Sequence, residues 1–261
     1  MFDLDYISGW TLNRVFAGLA RIMPGRFGVT VVVTSCDRPD LLDKTLSSFF
    51  KHNTFPITRM IIVEDGGKIE SDLVEKYQSR NIDWISTGDR VGQIAAIDYA
   101  YSRINTHFVF HMEDDWEFYE PDFIEKSIRI LRSNPKCLQL WLRSLGDTNN
   151  HPVDSQVHLK GDIKWQKLAW DYQNKWGEWH GFSFNPGLRR FTDYRLTGGY
   201  GKLAKYDFNN PGKAESIIGK YYREHEYFAG ILADNGGLGY VRHLGGGRQV
   251  TRFVEVSKRK R

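Results

Sequence analysis

One stretch, FVFHMEDDWEF at residues 108–118, joins an apolar run to three consecutive carboxylates. The run at residues 108–110 is typical of a buried strand in a parallel sheet. The acidic triplet, residues 113–115, follows at the point where that strand should end. Ligands of open α/β sheets bind outside the carboxyl ends of the strands. The triplet is therefore expected to face a ligand crevice.

Carboxylates in this position indicate a divalent metal. Their hard oxygens suit Mg²⁺ or Mn²⁺, and Mg²⁺ usually takes one or two protein carboxylates and fills its other positions with water and substrate phosphates. The triplet thus predicts a site for a metal and a diphosphate. A solvated acidic turn before a helix near Pro121 is the alternative interpretation, because acids favour helix N-termini.

Three earlier segments repeat the order of strand, polar loop and helix. The predicted strands lie at residues 29–34, 60–63 and 82–85, and the helices after them start at residue 39, near residue 73 and at residue 94. Successive parallel strands gather their loops along one edge of the sheet. The sequence therefore predicts an α/β fold with a Rossmann-like sheet and helices on both faces.

The order and spacing of these motifs resemble the family 2 glycosyltransferases of the GT-A fold, over roughly residues 28–250. The matching motifs are Thr34-Ser35-Cys36-Asp37-Arg38-Pro39, Val63-Glu64-Asp65-Gly66-Gly67, Gly92-Gln93-Ile94-Ala95-Ala96 and, as an Asp-x-Asp variant, Glu113-Asp114-Asp115. The resemblance implies a nucleotide-binding sheet that becomes mixed toward a C-terminal acceptor half. It also implies sugar transfer, with inversion, from a nucleotide-diphosphate donor, a UDP-sugar being favoured, to a hydroxyl.

The same resemblance implies two sets of binding residues. Mn²⁺ or Mg²⁺ would be held by Asp115, with His243, which precedes three glycines, as a further ligand. The nucleotide-sugar would be bound by Thr34, Asp37, Arg38, Asp65, Gly92, Gln93, Asp114, Arg189, Arg190 and Arg248. Either Arg189 or Arg190 is also able to pair with Asp193.

A transferase of this kind must deprotonate the acceptor hydroxyl, and the family commonly uses a Glu-Asp pair near the start of a late helix. The corresponding segment is KAESIIG at residues 213–219, so Glu215 is the positional match and the second acid is missing. Asp193 and Asp207 are the reserve candidates. For Glu215, an exposed acid in the first turn of a helix is the alternative.

The chain divides into three parts by pattern. Residues 1–27 are expected to form a helical extension, residues 28–250 a single catalytic domain, and residues 251–261 a basic tail. Within the domain, residues 28–118 would bind the donor and residues 119–250 the acceptor. Residues 10–23 fit an amphipathic helix that packs on the domain or touches a membrane peripherally. No apolar stretch approaches the roughly 18 residues of a transmembrane helix.

The composition is compatible with such an enzyme and also suggests a cellular location. The 261 residues carry a net charge of +4, and 14% of them are aromatic, which favours stacking surfaces for sugars or bases. The two cysteines, Cys36 and Cys137, lack metal-ligand spacing and are predicted to be buried free thiols. A cytoplasmic location, with or without peripheral membrane contact, fits that pattern.

Several alternatives stay open. The acceptor could be a glycan, a lipid-linked sugar, a protein or, given the basic C-terminal end, a nucleic acid. A sugar-nucleotide pyrophosphorylase would need a glycine-rich loop after the first strand, and residues 34–40 contain no glycine. A glycoside hydrolase would use two carboxylates without metal or nucleotide. A non-catalytic protein that binds a nucleotide-sugar or carbohydrate is compatible with the missing second acid.

Overall fold

The computed structural model describes residues 15, 18, 19, 22, 23, 27–169, 172–174, 177–204 and 211–245. Its strands are β1 (Val29–Ser35), β2 (Arg59–Glu64), β3 (Ile82–Ser86), β4 (Phe108–Glu113), β5 (Trp116–Phe118), β6 (Cys137–Trp141), β7 (Val153–Lys160), β8 (Ile163–Leu168), β9 (Tyr172–Asn174), β10 (Gly177–Trp179), β11 (Gly187–Arg190), β12 (Phe228–Leu232) and β13 (Val241–His243). Its helices are α1 (Pro39–His52), α2 (Ser71–Lys76), α3 (Gln93–Tyr101), α4 (Phe123–Ser133), α5 (Phe191–Thr197), α6 (Tyr200–Ala204) and α7 (Pro211–Glu224).

The first half of the chain forms a parallel sheet in the order β3-β2-β1-β4. Every residue of β1 is buried, as its β-branched sequence VTVVVTS predicts for a strand covered on both faces. The predicted strands and helices of this half are all present, and α3 begins at Gln93, one residue before the predicted start. Pro39 occupies the first turn of α1, where its missing N–H costs nothing.

The second half extends the same sheet with mixed directions, which confirms the predicted mixed architecture. β11 lies antiparallel between β4 and β6, and β12, β8 and β7 complete a nine-stranded sheet in the order β3-β2-β1-β4-β11-β6-β12-β8-β7. Gly187 at the start of β11 permits close packing, because a Cβ there would lie 2.8 Å from the Leu140 carbonyl oxygen. The described parts of both halves thus share one sheet.

Helices cover both faces of this sheet. On one face, a cluster of aromatic rings joins α1 and α4 to β4 and β5, with Phe49 at its centre. On the other face, α3, α6 and α7 pack around Tyr101, Tyr200 and Tyr222. Both clusters are fully buried, so the sheet edge that carries the polar loops has a rigid support on each side.

A two-stranded ribbon crosses the carboxyl edge of β4. β13 pairs antiparallel with β5, and the register sets His243 opposite Trp116. The ribbon therefore returns a late segment of the chain to the acidic triplet. β9 and β10 form a separate hairpin.

Some predictions fall outside the described residues. These are Asp207, Arg248, the basic tail at residues 251–261 and most of the helix predicted at residues 10–23. Among the helices that the structure describes, none has the length and apolar character needed to cross a bilayer.

Phe49 gives a direct test of the aromatic cluster. Its ring is fully buried, with centroids 5.3 Å from Phe118 and 5.9 Å from Phe110. Phe49→Ala should lower the free energy of unfolding by about 3–5 kcal/mol in urea titrations, because it leaves a cavity that the two packed helices cannot close. Leu196→Ala, at a position that is 56% exposed, should change it by less than about 0.5 kcal/mol. Equal effects of the two substitutions would contradict this packing.

Candidate functional site

The carboxyl ends of β1, β2 and β4 meet at one edge of the sheet. The register pairs Thr34 with Glu113 across β1 and β4, and Ser35 with Glu64 across β1 and β2. The loops that follow these three strands therefore bring Arg38, Asp65 and the acidic triplet to the same edge, as the sequence predicts for parallel order.

Asp114 is fully buried at the end of β4. The Arg38 guanidinium donates to both of its carboxylate oxygens, with Nε 3.1 Å from Oδ2 and Nη2 bound to Oδ1. The Cys36 N–H also donates to Oδ2. Burial raises the pKa of Asp114 to about 6, although the charge of Arg38 opposes that shift. The Thr45 hydroxyl donates to the Asp114 carbonyl at 2.7 Å, which ties this turn to α1.

Asp115 points to a different set of partners. Its Oδ2 accepts a hydrogen bond from Nη1 of Arg38 at 2.8 Å and lies 3.2 Å from Nε2 of His243. Its Oδ1 is buried, and no described residue donates to it. Burial alone would raise the pKa of Asp115, but the His243 hydrogen bond and the Arg38 charge lower it below its ordinary value.

The β5–β13 ribbon brings His243 to this carboxylate. The His243 ring lies 4.9 Å from the Trp116 ring, and the Leu244 N–H donates to the Asp115 carbonyl at 2.7 Å. The next residue is Gly245, where a Cβ would collide with Oδ2 of Asp115. Glycine at this position therefore lets the chain pass directly over the acid, next to His243.

Asp115 and His243 suit a divalent ion by their chemistry. A carboxylate with an unpaired buried oxygen and an adjacent imidazole offer oxygen and nitrogen ligands of the kind that Mn²⁺ accepts. Within the described part of the chain, no group of three or more His, Cys, Asp or Glu side chains converges as a ligand set. An ion held here would therefore take its remaining ligands from water and from a bound phosphate.

Asp65 organises the loop before α3. Its Oδ1 accepts the Val91 N–H at 2.7 Å, its Oδ2 accepts the Gly92 N–H at 2.9 Å, and the Thr87 hydroxyl lies 3.3 Å from Oδ1. Gly92 has a φ of 88°, which a glycine adopts without strain. Both oxygens of Asp65 thus already hold the loop at residues 87–92. The sequence predicts Asp65 as a nucleotide-sugar ligand, and in the structure its carboxylate positions the loop next to that predicted ligand site.

Glu113 lies just inside this edge. Gln93, the first residue of α3, donates its side-chain amide to Glu113 Oε1 at 2.6 Å, and Trp116 Nε1–H donates to Oε2 at 3.3 Å. Burial, reinforced by the charges of Asp115 and Glu215, raises the pKa of Glu113 to about 8. The chain therefore brings Glu113, which the sequence did not select as a site residue, within electrostatic reach of Glu215.

Glu215 enters from α7 and is held in one orientation. The Ser183 hydroxyl donates to its Oε1 at 3.0 Å, and the Phe184 N–H donates to the same oxygen at 2.7 Å. Burial raises the pKa of Glu215 to about 7, despite these two hydrogen bonds. A carboxyl with a pKa near neutrality is suited to accept and release a proton.

Arg189 lies in the core instead of at the crevice. Its side chain is only 1% exposed because β11 is flanked by β4 and β6. Its guanidinium donates to Gln139 Oε1 at 2.7 Å, to the Tyr101 hydroxyl at 3.2 Å and to the Ser183 carbonyl. The sequence predicted Arg189 as one of the nucleotide-sugar ligands. In the structure it supports the Ser183 segment, which in turn holds Glu215.

Arg190 and Asp193 lie near the amino-terminal end of β4, opposite the end that carries the acidic triplet. β11 runs antiparallel to β4, so Arg190 pairs with Phe108 at the beginning of β4, far along the strand from the triplet. Arg190 Nε lies 2.9 Å from Asp193 Oδ2, and its Nη1 donates to the Leu131 carbonyl at 2.7 Å. The structure thus does not bring the predicted donor residue Arg190 or the reserve base Asp193 to Asp115.

Two further arginines, which the sequence analysis did not predict as site residues, lie near this site. Arg90 pairs with Asp37 beside a cavity of about 180 Å³ that Glu64, Lys68 and Trp84 help to line. The Arg143 guanidinium lies 5.3 Å from the Trp116 ring. Arg90 could have been found from the sequence, because it lies in one of the polar loops that follow the predicted strands. No local sequence pattern identifies Arg143, because its position near the site depends on β6 lying two strands from β4 in the sheet.

The same loop edge contains the remaining predicted binding residues. Thr34 is buried near the end of β1, and Asp37 has a φ of 52° while its N–H donates to Glu64 Oε1 at 2.7 Å. The left-handed conformation turns the chain sharply between β1 and α1. It thereby sets the Arg38 side chain toward the acids.

The chain has the same fold as several solved structures, at low sequence identity. TarS 1-349 of S. aureus in complex with UDP has a TM-score of 0.56 and 13% identity, over 82% of this chain and 59% of that one. GalNAc-T7 with UDP, GalNAc and Mn²⁺ has a TM-score of 0.55 and 11% identity, over 83% and 43%. The mannosyltransferase PcManGT from Pyrobaculum calidifontis with GDP-Man and Mn²⁺ has a TM-score of 0.51 and 12% identity, over 81% and 61%.

These similarities establish the fold, and the sequence establishes the family. The chain spans less than two thirds of each of those structures, and no curated protein sequence matches it. The sequence model described as Glycosyl transferase family 2 matches residues 30–190, which is more than half of the 261 residues and includes the acidic triplet. The chain, with its mixed GT-A sheet and its strand-end acids, therefore belongs to glycosyl transferase family 2, as its motif order predicts.

Proposed function

We propose that this glycosyltransferase is metal-dependent and moves a sugar from a nucleotide-diphosphate donor, a UDP-sugar being favoured, to an acceptor hydroxyl with inversion. One observation carries the proposal. Asp115, with an unpaired buried oxygen and with His243 3.2 Å away, stands at the strand edge where ligands bind, and its charge reaches the Glu113–Glu215 neighbourhood. The proposed metal-diphosphate subsite and the candidate base thus both lie within electrostatic reach of Glu113.

Asp115 and His243 would hold the ion, which we propose to be Mn²⁺ or Mg²⁺. When bound, such an ion stabilises negative charge on a leaving diphosphate as a Lewis acid. Structures with the same fold support this choice, since the GalNAc-T7 and PcManGT structures contain Mn²⁺ with UDP and with GDP-Man. Asp114, clamped by Arg38, fixes the turn that presents Asp115.

Glu215 is proposed as the general base. The hydrogen bonds that described residues donate to it all end on Oε1, which leaves Oε2 to take the proton of the acceptor hydroxyl. Burial raises the pKa of Glu113 to about 8, so near neutral pH its carboxyl is largely protonated and adds no negative charge beside Glu215.

The donor's nucleoside would lie along the loops of residues 34–38 and 87–92. Asp65 keeps the second loop in place through two backbone amides, and Arg90 tethers it to Asp37 in the first. We assign residues 28–118 to donor binding and residues 119–250 to acceptor binding in one catalytic domain. A glycan, a lipid-linked sugar, a protein and a nucleic acid all remain candidate acceptors, and peripheral membrane contact is part of the proposal.

A donor screen tests this function without knowledge of the acceptor. The protein would be incubated with UDP- and GDP-sugars, with and without Mn²⁺, and the released nucleoside diphosphate measured by mass spectrometry. Slow Mn²⁺-dependent hydrolysis of one donor is expected, since water can replace the acceptor. Donor binding with no hydrolysis under any condition, and no transfer to any acceptor offered, would instead support a nucleotide-sugar-binding protein.

Asp115→Asn tests the metal subsite. The amide keeps the size of the side chain but is a poor ligand for a hard cation, so Mn²⁺ should no longer raise the affinity for UDP. Calorimetric titration of UDP with and without Mn²⁺ measures the difference. Asp83→Asn, which removes the acid of the Arg59 ion pair away from this edge, should retain the Mn²⁺ effect. An undiminished Mn²⁺ effect in Asp115→Asn would remove Asp115 from the subsite.

Glu215→Gln tests the base. It should keep donor affinity and lower kcat for transfer by roughly 10² or more, because the amide cannot accept the proton. Since the base acts deprotonated and burial raises its pKa to about 7, wild-type kcat should increase with pH up to about 7 and then level off. Glu224→Gln, on the exposed end of the same helix, is the matched control. Full transfer by Glu215→Gln would exclude this assignment.

Asp65→Asn tests the donor loop. Loss of one acceptor for the Val91 and Gly92 amides should loosen the loop and weaken UDP binding about tenfold, both with and without Mn²⁺. Calorimetry supplies the affinities, and Asp89→Asn, at an exposed position of the same loop, should bind UDP as the wild type does. A loss confined to the Mn²⁺-containing titrations would place Asp65 in the metal subsite.

A further inference from the structure

The Arg38 side chain binds both acids of the proposed metal subsite. Its guanidinium donates through Nε and Nη2 to the two oxygens of Asp114 and through Nη1 to Oδ2 of Asp115 at 2.8 Å. Only 15% of the Arg38 side chain is exposed. The acid pair is therefore already neutralised in part by a cation that belongs to the chain.

A divalent ion at Asp115 would face this guanidinium at short range. His243 and Arg38 both lie within hydrogen-bonding distance of the same oxygen, Oδ2 of Asp115. An ion bound by Asp115 and His243 would share that carboxylate with a positive charge, and like charges repel strongly where solvent is largely excluded. An ion on the unpaired Oδ1 would lie beside the guanidinium on Oδ2, so the charge of Arg38 lowers the affinity of Asp115 for the ion.

We propose that Arg38 and the divalent ion exchange at Asp115, so that Arg38 is the counter-ion of Asp115 in the ligand-free protein and the ion releases Nη1 of its guanidinium toward the donor diphosphate. This inference rests on the metal-dependent function proposed above. The freed Nη1 can donate to a phosphate oxygen, while Nε and Nη2 stay on the fully buried Asp114 and keep that carboxylate paired. Arg38 would then serve both acids in one state, and Asp114 and the substrate in the other.

The loop around Arg38 is anchored independently of its side chain. The Asp37 N–H donates to Glu64 Oε1, Arg90 pairs with the Asp37 carboxylate, and Pro39 begins α1. These contacts hold the backbone on both sides of Arg38. The exchange therefore involves the end of the Arg38 side chain and not the backbone around it.

The test measures Mn²⁺ binding without turnover. Free Mn²⁺ would be followed by electron paramagnetic resonance while it is titrated against the wild type, Arg38→Gln, Asp115→Asn and the control Arg59→Gln, which breaks a different ion pair at Asp83. Removing the competing charge should tighten Mn²⁺ binding by about tenfold or more in Arg38→Gln. Asp115→Asn should lose the bound Mn²⁺, and Arg59→Gln should match the wild type.

A second measurement separates exchange from a simple loss of charge. At saturating Mn²⁺, Arg38→Gln should bind UDP more weakly than the wild type, because the released guanidinium is missing. If Arg38→Gln fails to fold, Arg38→Met takes its place, since methionine also removes the charge and keeps an unbranched side chain, and it should bind Mn²⁺ more tightly than the wild type.

The outcomes distinguish the two proposals. Wild-type Mn²⁺ binding that is lost in Asp115→Asn but unchanged or weaker in Arg38→Gln would overturn the exchange and leave the metal-dependent function standing. Absence of Mn²⁺ binding in every variant, Arg38→Gln included, would overturn the metal site and the exchange together, and would leave Arg38 as the permanent cation of the acid pair.

Discussion

The constraint on which this site depends is the burial of two adjacent carboxylates at the end of β4. A buried charge is costly unless it is paired and hydrogen-bonded, and Asp114 is fully enclosed. Several distant parts of the chain meet this demand. Arg38 comes from the loop before α1, the Thr45 hydroxyl comes from α1 itself, and His243 returns on the β5–β13 ribbon. The residues that satisfy the two acids therefore lie where a metal and a diphosphate are proposed to bind.

A second pair of acids lies one layer deeper, and its properties follow from the same burial. Glu113 on β4 and Glu215 on α7 both have pKa values raised by burial, and the charges of Asp115 and Glu215 raise that of Glu113 further. Glu113, with a pKa of about 8, is therefore largely protonated near neutral pH, while Glu215, with a pKa of about 7, can act as a base. Arg189 contributes indirectly, since it fixes the Ser183 segment that orients Glu215.

The sequence predicts the donor half of the fold well because its signals are local. The β-branched run of β1, the proline that opens α1 and the rule that ligands bind at carboxyl ends of strands together locate Asp115 and Arg38 on one edge. Asp65 was also located at that edge, although its hydrogen bonds to the Val91 and Gly92 amides were not foreseen, because they depend on the path of the next loop.

Predictions from the second half depended on strand direction, which no local pattern encodes. β11 returns antiparallel between β4 and β6, so Arg189 enters the core while Arg190 and Asp193 reach the far edge. The family resemblance had suggested that Arg189, Arg190 and Asp193 all line the ligand crevice. Glu215 was identified by position in the sequence, but its relation to Glu113 arises only when α7 packs on the face that carries Gln93.

The most direct measurement of this account is anomalous diffraction from crystals soaked with Mn²⁺ and UDP. We predict one strong manganese peak at bonding distance from the Asp115 carboxylate and the His243 imidazole, with the UDP diphosphate and water as its other ligands. In the same map, the Arg38 guanidinium should have left Asp115. A manganese peak elsewhere, or UDP bound at this edge with Arg38 still on both acids and no manganese, would contradict the account.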